Sequence, residues 1–395
     1  MGNRLVCVVA VVILMLSGCS LFNPPTPEEE PQPVKIFDID GSDTYGVDIK
    51  ETPDGGFIVA ARCVDNYSYA LILKLDAYGN ISWHKKLGPK IYSVAVECSN
   101  DGGYVFVGRD ITDTTYKNYM IKIDAYGNTL EMKYIYDEFD EIKGLIKLSD
   151  GYIVYGAGGS RGMIEKVDFD GNYIWATTLP ENLYSWVNDV KIMSDGSYLA
   201  TGRVRTLTNY PDYMFFSKVT AGGSVLWIKY YNPVEVPTSG YSGVEIDSGA
   251  GAGYITTAMI YEPGANYGRF AMFKFDSSGN FVSEKRLGGG DASGSGRHIL
   301  KTGGNFVVCG YYAEPGDDEQ NIYVSKINDN LEKLWSVKMK GDVPRHIGRT
   351  MCNQAYRMCV TSDGGIAVTG GVGIAGFGQP VIFVARLRAN GLRMW

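Results

Sequence analysis

The sequence predicts an all-β protein, a seven-bladed β-propeller with four antiparallel strands per blade and a ring closed by N- and C-terminal strands in one blade. Three observations carry that expectation. A unit first met at residues 54–83 (DGGFIVAARCVDNYSYALILKLDAYGNISW) recurs in altered form so that seven copies follow in the same internal order. Each copy holds four short segments rich in β-branched and aromatic residues. The copies are spaced at about 45 to 60 residues, the period of a propeller blade. A sandwich of many short strands would not require sevenfold self-similarity.

The anchors of the unit come in a fixed order. A Lys-x-Asp step places its basic residue at Lys74, Lys122, Lys166, Lys218, Lys274 and Lys326, and Arg386 stands there in the last unit. Nine residues later come Trp83, Glu131, Trp175, Trp227, Ser283, Trp335 and Trp395. A Gly lies five residues after the basic residue everywhere except at Leu331. The opening turns read Asp54-Gly55-Gly56, Asp101-Gly102-Gly103, Asp150-Gly151, Asp195-Gly196 and Asp363-Gly364-Gly365, with degenerate versions at Gly251-Ala252-Gly253 and Thr302-Gly303-Gly304. In the fourth unit the four segments are 187–193, 198–204, 213–219 and 225–230. Tight glycine turns join the first to the second and the third to the fourth, because glycine accepts the positive φ that such hairpins need.

The repeated Asp and Trp have structural roles in this reading. Asp76 and its equivalents fold a carboxylate onto backbone N–H groups of the following turn. The Trp residues fill the space between outer strands of neighbouring blades. The last unit stops at Trp395, where other units continue with a stretch like 84–88, and the missing piece is present at the other end as 34–39. A ring with long open edges invites association, so strands from both termini are expected to share one blade.

The N-terminus carries an address. Arg4 precedes an apolar run at 5–16, too short to span a bilayer but suited to the hydrophobic region of a signal peptide. The quartet Leu16-Ser17-Gly18-Cys19 resembles the bacterial lipobox, which implies cleavage before Cys19 and lipidation of its thiol. Residues 22–33 (FNPPTPEEEPQP) read as an extended polar tether. The expected organisation is a lipoprotein signal peptide at 1–18, a lipidated Cys and tether at 19–33, and the propeller at 34–395. That places the domain outside the cytoplasm, lipid-anchored to a membrane. By the same resemblance, Ser20 favours the outer membrane where the organism has one.

The third and fourth segments, such as 73–83 (LKLDAYGNISW), resemble the outer strands of bacterial PQQ-like propeller repeats. The Asp-Gly-Gly-aromatic openings are similar to those of secreted and lipid-anchored propellers built from that repeat. The likeness covers about 34–395. It departs from true quinoprotein repeats by one residue fewer between Asp and Gly, differs from kelch units in its Gly-to-Trp spacing, and lacks the Gly-His and Trp-Asp marks of WD40. Some lipid-anchored PQQ-like propellers assist outer-membrane assembly, so the resemblance implies a protein partner at the envelope.

Catalytic signals are sparse. The three histidines, His84, His298 and His346, stand in different repeats, and no His-x-x-x-His pair, Gly-x-Ser-x-Gly elbow or phosphate loop occurs. No metal and no cofactor are expected, and the acidic stretch 314–319 reads as a solvated loop. A net charge of −7 without a basic run argues against nucleic acid. Five cysteines would remain in the mature chain; Cys63, Cys309 and Cys359 read as buried thiols, and a bridge between Cys98 and Cys352 is open but unforced.

The connections two-to-three and four-to-one vary most: 206–212, 232–241, 261–269, 311–321 and 341–353. Tyr210, Tyr261, Tyr267, Arg269, Tyr311, Tyr312, Arg345 and Arg349 enrich them in residues suited to recognition. The first strand of each blade lines the channel and starts on this loop face. Counting back three residues from the small or acidic position of each first strand gives Tyr45, Tyr92, Trp186 and Tyr356, with Tyr241 within one residue of that register. Glu141 takes the place in unit three, and Arg297 and His298 lie close by in unit six. These eight residues are the candidate ligand-binding set: an aromatic collar with one acidic and one basic sector. The expected role is binding or scaffolding at the cell envelope, with an envelope protein or glycan as partner and membrane contact through the lipid alone. The alternative is a glycan-active hydrolase or lyase with carboxylates near the channel; a quinoprotein dehydrogenase ranks third.

Overall fold

The computed structural model describes residues 32–395 except 65–67, 90, 111–116, 136–138, 181–183, 206–211, 233–235, 248–250, 262–267, 288–291, 317–318, 342–350 and 375–377. The signal, Cys19 and most of the tether lie outside the described residues. Seven sheets follow one another in chain order. Their first strands are Thr44–Glu51, Ile91–Cys98, Glu141–Lys147, Tyr184–Ile192, Thr238–Ile246, Ser293–Thr302 and Met351–Val360, which define blades 1 to 7. Each first strand contacts that of the next blade, and blade 7 returns to blade 1, so these strands surround the axis. Among the described residues no helix is long and apolar enough to cross a membrane.

Both chain ends build blade 7. Its strands Met351–Val360, Ile366–Ile374 and Gly378–Leu387 come from the C-terminal unit, and Lys35–Phe37 adds the outer strand, antiparallel, with Ile36 opposite Phe383. The remainder of that edge is taken by the C-terminus: Arg386 N–H donates to the Trp395 carbonyl at 3.0 Å and Met394 N–H to the Arg386 carbonyl at 2.7 Å. One feature has no counterpart in the repeat. Gln32–Pro33 runs parallel to Lys333–Lys340 and gives blade 6 a fifth strand.

The repeat anchors meet one another in space. Trp83 Nε1–H donates to the Ala125 carbonyl of the next blade at 3.1 Å, Trp335 to Ala389 at 3.2 Å, and Trp395 to Ala77 of blade 1 at 3.2 Å. The repeated glycine lies beneath that indole. A methyl group on Gly79 would come within 2.7 Å of the Trp395 ring, and one on Gly223 within 2.7 Å of Trp175. The same glycines have φ near +75° and +88°, so both crowding and backbone conformation exclude a side chain. At the exceptional unit, Leu331 adopts φ 62° and is buried; its apolar burial offsets a conformation that costs an ordinary residue about 1–2 kcal/mol.

The aspartates behave as turn residues. Asp76 accepts from Tyr78 N–H at 2.9 Å, from Asn80 N–H at 2.8 Å and from the Asn80 side chain at 3.0 Å, and Asp124, Asp168 and Asp276 repeat the pattern. The Asp of the opening turn pairs with the basic anchor: Lys74 with Asp54, Lys166 with Asp150, Lys218 with Asp195, and Arg386 with Asp363. Hydrogen bonds from Asn80 and Asn128 hold Asp76 and Asp124 below the usual carboxylate range. Burial pushes Asp54 up, but Lys74, Thr52 and Gly56 outweigh it and bring it to about 2. A folded value below the unfolded one gives stability that is present above about pH 4 and lost as pH falls through the folded values. Thermal unfolding midpoints should therefore drop steadily between about pH 4 and pH 2. Asn at 76, 124, 168 and 276 should flatten that limb, as Asn328 keeps the same two backbone bonds in unit six. A midpoint unchanged from pH 5 to pH 2 would contradict the assignment.

Candidate functional site at the central channel

The first strand of every blade carries a β-bulge at the same place. Its pairing with the second strand slips between Gly46 and Asp48, Ser93 and Ala95, Ile142 and Gly144, Val187 and Asp189, Gly240 and Ser242, Gly296 and His298, and Ala355 and Arg357. The extra residues are Val47, Val94, Lys143, Asn188, Tyr241, Arg297 and Tyr356. A bulge turns side chains that a regular ladder would aim elsewhere.

This corrects the register expected from sequence. Tyr45, Tyr92, Glu141 and Trp186 are equivalent, two positions before the bulge, opposite Arg62, Arg109, Ala157 and Arg203. Tyr356 is not their equivalent; it is the bulge residue of blade 7, where Gln354 holds the Tyr45 position opposite Gly371. Tyr241 and Arg297 are bulge residues as well. The sequence cannot show an inserted residue in a strand whose partner also varies.

Four of the eight candidates come together. The Arg297 guanidinium carbon lies 4.4 Å from the Tyr241 ring centroid, 5.7 Å from Tyr311 and 5.9 Å from Tyr356. Tyr356 in turn meets Tyr45 with centroids 5.7 Å apart and planes tilted by 57°. The arc spans blades 5, 6, 7 and 1 at the loop-side end of the first strands. Burial pushes the Tyr356 and Tyr311 phenols up to about 12, so both stay neutral. Trp186 stands apart, with Arg203 at 4.4 Å and Arg205 at 5.8 Å over its ring and both arginines paired to Asp212. Glu141 pairs with Lys143 on its own strand. The Tyr92 side chain lies outside the described residues.

His298 belongs deeper, to a charged cavity that the sequence reading did not foresee. The cavity measures ≈ 370 Å³ and is lined from the middle and downstream halves of first strands, including Asp48, Lys50, Glu97, Asp189, Lys191, His298 and Arg357. Asp189 is its hub. It accepts from Arg357 Nη1 at 2.9 Å, Lys191 Nζ at 2.9 Å, Tyr155 Oη at 3.1 Å and Ser242 Oγ. Burial pushes this carboxyl up, but Lys191, Arg357 and the hydrogen bond from Ser242 outweigh it and hold it well below the usual range. Asp48 accepts from Ile49 and Val96 N–H at 2.9 and 3.1 Å, and Lys50 pairs with Glu97 at 2.9 Å. Met358 N–H donates to His298 Nδ1 at 3.3 Å, and Nε2 lies 2.7 Å from Lys191 Nζ. Burial, with Lys191 and Arg357 nearby, drives the imidazole far below its ordinary value and keeps it uncharged. The signal for this layer was in the sequence: Asp48-x-Lys50 and Asp189-x-Lys191 put charges at period two inside otherwise apolar strands.

The variable-loop residues sort differently from expectation. Tyr311 and Tyr312 lie within the second strand of blade 6 and are buried, and Arg269 begins the third strand of blade 5. Tyr210, Tyr267, Arg345 and Arg349 lie outside the described residues. Cys63, Cys98, Cys309, Cys352 and Cys359 are free thiols, which closes the question of a bridge between Cys98 and Cys352.

No protein-family model matches the chain, and no curated protein matches it. Solved structures do. The β-propeller domain of the Trilobed protease from Pyrococcus furiosus, described as having an open velcro topology, is similar over 89% of this chain and 98% of its own, at 10% identity and a TM-score of 0.51. The likeness is one of fold. Puromycin hydrolase matches over 88% of this chain and 53% of its own, at 12% identity and a TM-score of 0.46. A protein of unknown function from Bacteroides caccae matches over 82% and 88%, at 12% identity and a TM-score of 0.36. Where the Pyrococcus furiosus propeller is described as open, the present ring is fastened by strands from both ends.

Proposed function

We propose that this protein is a binding module of the cell envelope whose recognition surface is the loop-side mouth of its central channel. The observation that supports this is the arc of Tyr241, Arg297, Tyr356 and Tyr45, where flat half-buried rings surround a polar centre at the entrance to a rigid scaffold. Its attachment rests on the 16–19 quartet and is the lipidated Cys19. A glycan hydrolase would need two carboxyl groups flanking the scissile bond, one protonated and one ionised. Here Asp189 is held by two cations and Asp48 by backbone N–H groups, while Glu97 is engaged by Lys50. Binding fits these groups better than hydrolysis.

The test uses the full chain on a glycan array and in pull-downs from its own membranes, beside Tyr45→Ala and Tyr241→Ala. The expected result is a ligand retained by the wild type and lost by at least about tenfold in both variants, with thermal midpoints changed by only a few degrees. Cys19→Ser should move the protein out of the membrane fraction. Variants that unfold without a selective loss would make the rings packing residues and end the proposal.

A further inference from the structure

Among the described residues, most cations that line the channel are paired with a carboxylate. Lys50 pairs with Glu97, Lys143 with Glu141, Lys191 and Arg357 with Asp189, and Arg203 and Arg205 with Asp212. Arg297 has no such partner among the described residues. Its Nε is buried without a hydrogen-bond acceptor, and its neighbours are ring faces. A buried donor with no acceptor is costly, and more so when it belongs to a charged group. The tyrosine faces recover part of this through their quadrupoles, but they accept nothing from the N–H groups in the guanidinium plane. The residue as a whole is half-buried and Nε is its buried donor, so the terminal nitrogens are the ones a ligand at the channel mouth would meet.

Resting on the binding reading above, we infer that Arg297 is an anion-recognition residue, and that the ligand is an acidic sugar whose carboxylate takes its N–H groups while its ring packs on the tyrosines. The planar guanidinium matches a carboxylate in a two-point, charge-assisted contact that lysine or an amide cannot copy. The surroundings select the rest of the ligand. Tyr241, Tyr356 and Tyr45 offer flat faces for the C–H side of a pyranose ring. Beside them Gln354 and Gln320, joined by a 2.9 Å hydrogen bond, offer amides for hydroxyl groups. Such faces suit a carbohydrate better than the separate side-chain pockets an extended peptide requires.

The experiment is calorimetric titration of the full-length protein with oligogalacturonate, its methyl ester and a polyglutamate peptide. Oligogalacturonate should bind, and the ester, which keeps every ring but loses the charge, should bind about 10- to 100-fold more weakly. Arg297→Gln should bring the acid down to the level of the ester, and Arg297→Lys should recover only part. Equal binding of acid and ester would overturn the role of Arg297 while leaving the binding module intact. Polyglutamate binding without oligogalacturonate binding would overturn the sugar. No binding of oligogalacturonate would also overturn the inference, whereas the binding reading falls only when the Tyr45 and Tyr241 variants lose nothing. The acid-to-ester comparison is made on the wild type, so it holds even if a substitution at 297 disturbs folding.

Discussion

Arg357→Met should lower the free energy of unfolding by about 3–5 kcal/mol, the loss that follows when one partner of a buried ion pair is removed and the other remains. Arg357 starts on blade 7 and ends on blades 3 and 4. Its Nη1 reaches Asp189 at 2.9 Å, and its Nη2 reaches the Asn188 carbonyl at 3.1 Å and Tyr155 Oη at 3.3 Å. The side chain is thus a crossbar through the channel, joining blades that share no sheet edge. Without it, Asp189, whose side chain is 1% exposed, keeps Lys191, Ser242 and Tyr155 as partners. One of its two cations is then missing, and the buried carboxylate is under-compensated. The second substitution decides the cause. Asp189→Asn in the same chain removes the stranded charge, so Arg357→Met/Asp189→Asn should be less destabilised than the sum of the single variants by at least 1 kcal/mol. Urea midpoints measured for all four proteins give the coupling directly. Strict additivity, or a loss under 1 kcal/mol for Arg357→Met, would show that the crossbar contributes only packing.

The fold was legible because each anchor of the repeat answers to a local rule. Asp76 writes its turn through side-chain bonds two and four residues on, and Gly79 is required by its own φ and by an indole from the next blade. Trp83 and its equivalents mark the seam between blades. The unit is repeated seven times, so a loss in one copy, such as Leu331 for Gly, does not hide the pattern. The site was only half legible. Tyr45, Tyr241, Arg297 and Tyr356 were found by residue type and approximate register, yet their contacts depend on a bulge in each first strand that carries no residue signature. Gly, Val, Asn, Tyr, Lys and Arg all stand at or beside it. The charged layer around Asp189 was missed for another reason. Its crossbar partner Arg357 stands 168 positions from Asp189 in sequence, and only ring closure brings the two together.

Trp395→Ala should destabilise the ring by about 3–5 kcal/mol, and by more than the same change at an internal seam. The comparison is with Trp83, whose indole makes the equivalent bond to Ala125 and covers Gly127. Trp395 does the same toward blade 1: its Nε1 reaches the Ala77 carbonyl, its ring covers Gly79, and it stands edge-on to Phe57 with centroids 5.7 Å apart. Lys35 from the N-terminal strand lies 5.4 Å from the ring centroid. The two seams differ in connectivity. Blades 1 and 2 are joined by the chain itself, so loss of Trp83 leaves them tethered. Blades 7 and 1 are also tied by the chain after Lys35–Phe37, but that outer strand is three residues long and its partner contacts are few. When the Trp395 anchor goes, fraying of Lys35–Phe37 exposes Gly378–Leu387 as an open edge and uncovers Phe37, Ile382 and Val384, all buried in the intact ring. Amide exchange should therefore accelerate in the outer strands of blade 7 and spread to blade 1, while Trp83→Ala should speed exchange only at its own seam. Equal losses of stability for the two variants, with exchange confined locally in both, would mean that the ring does not depend on its terminal fastening.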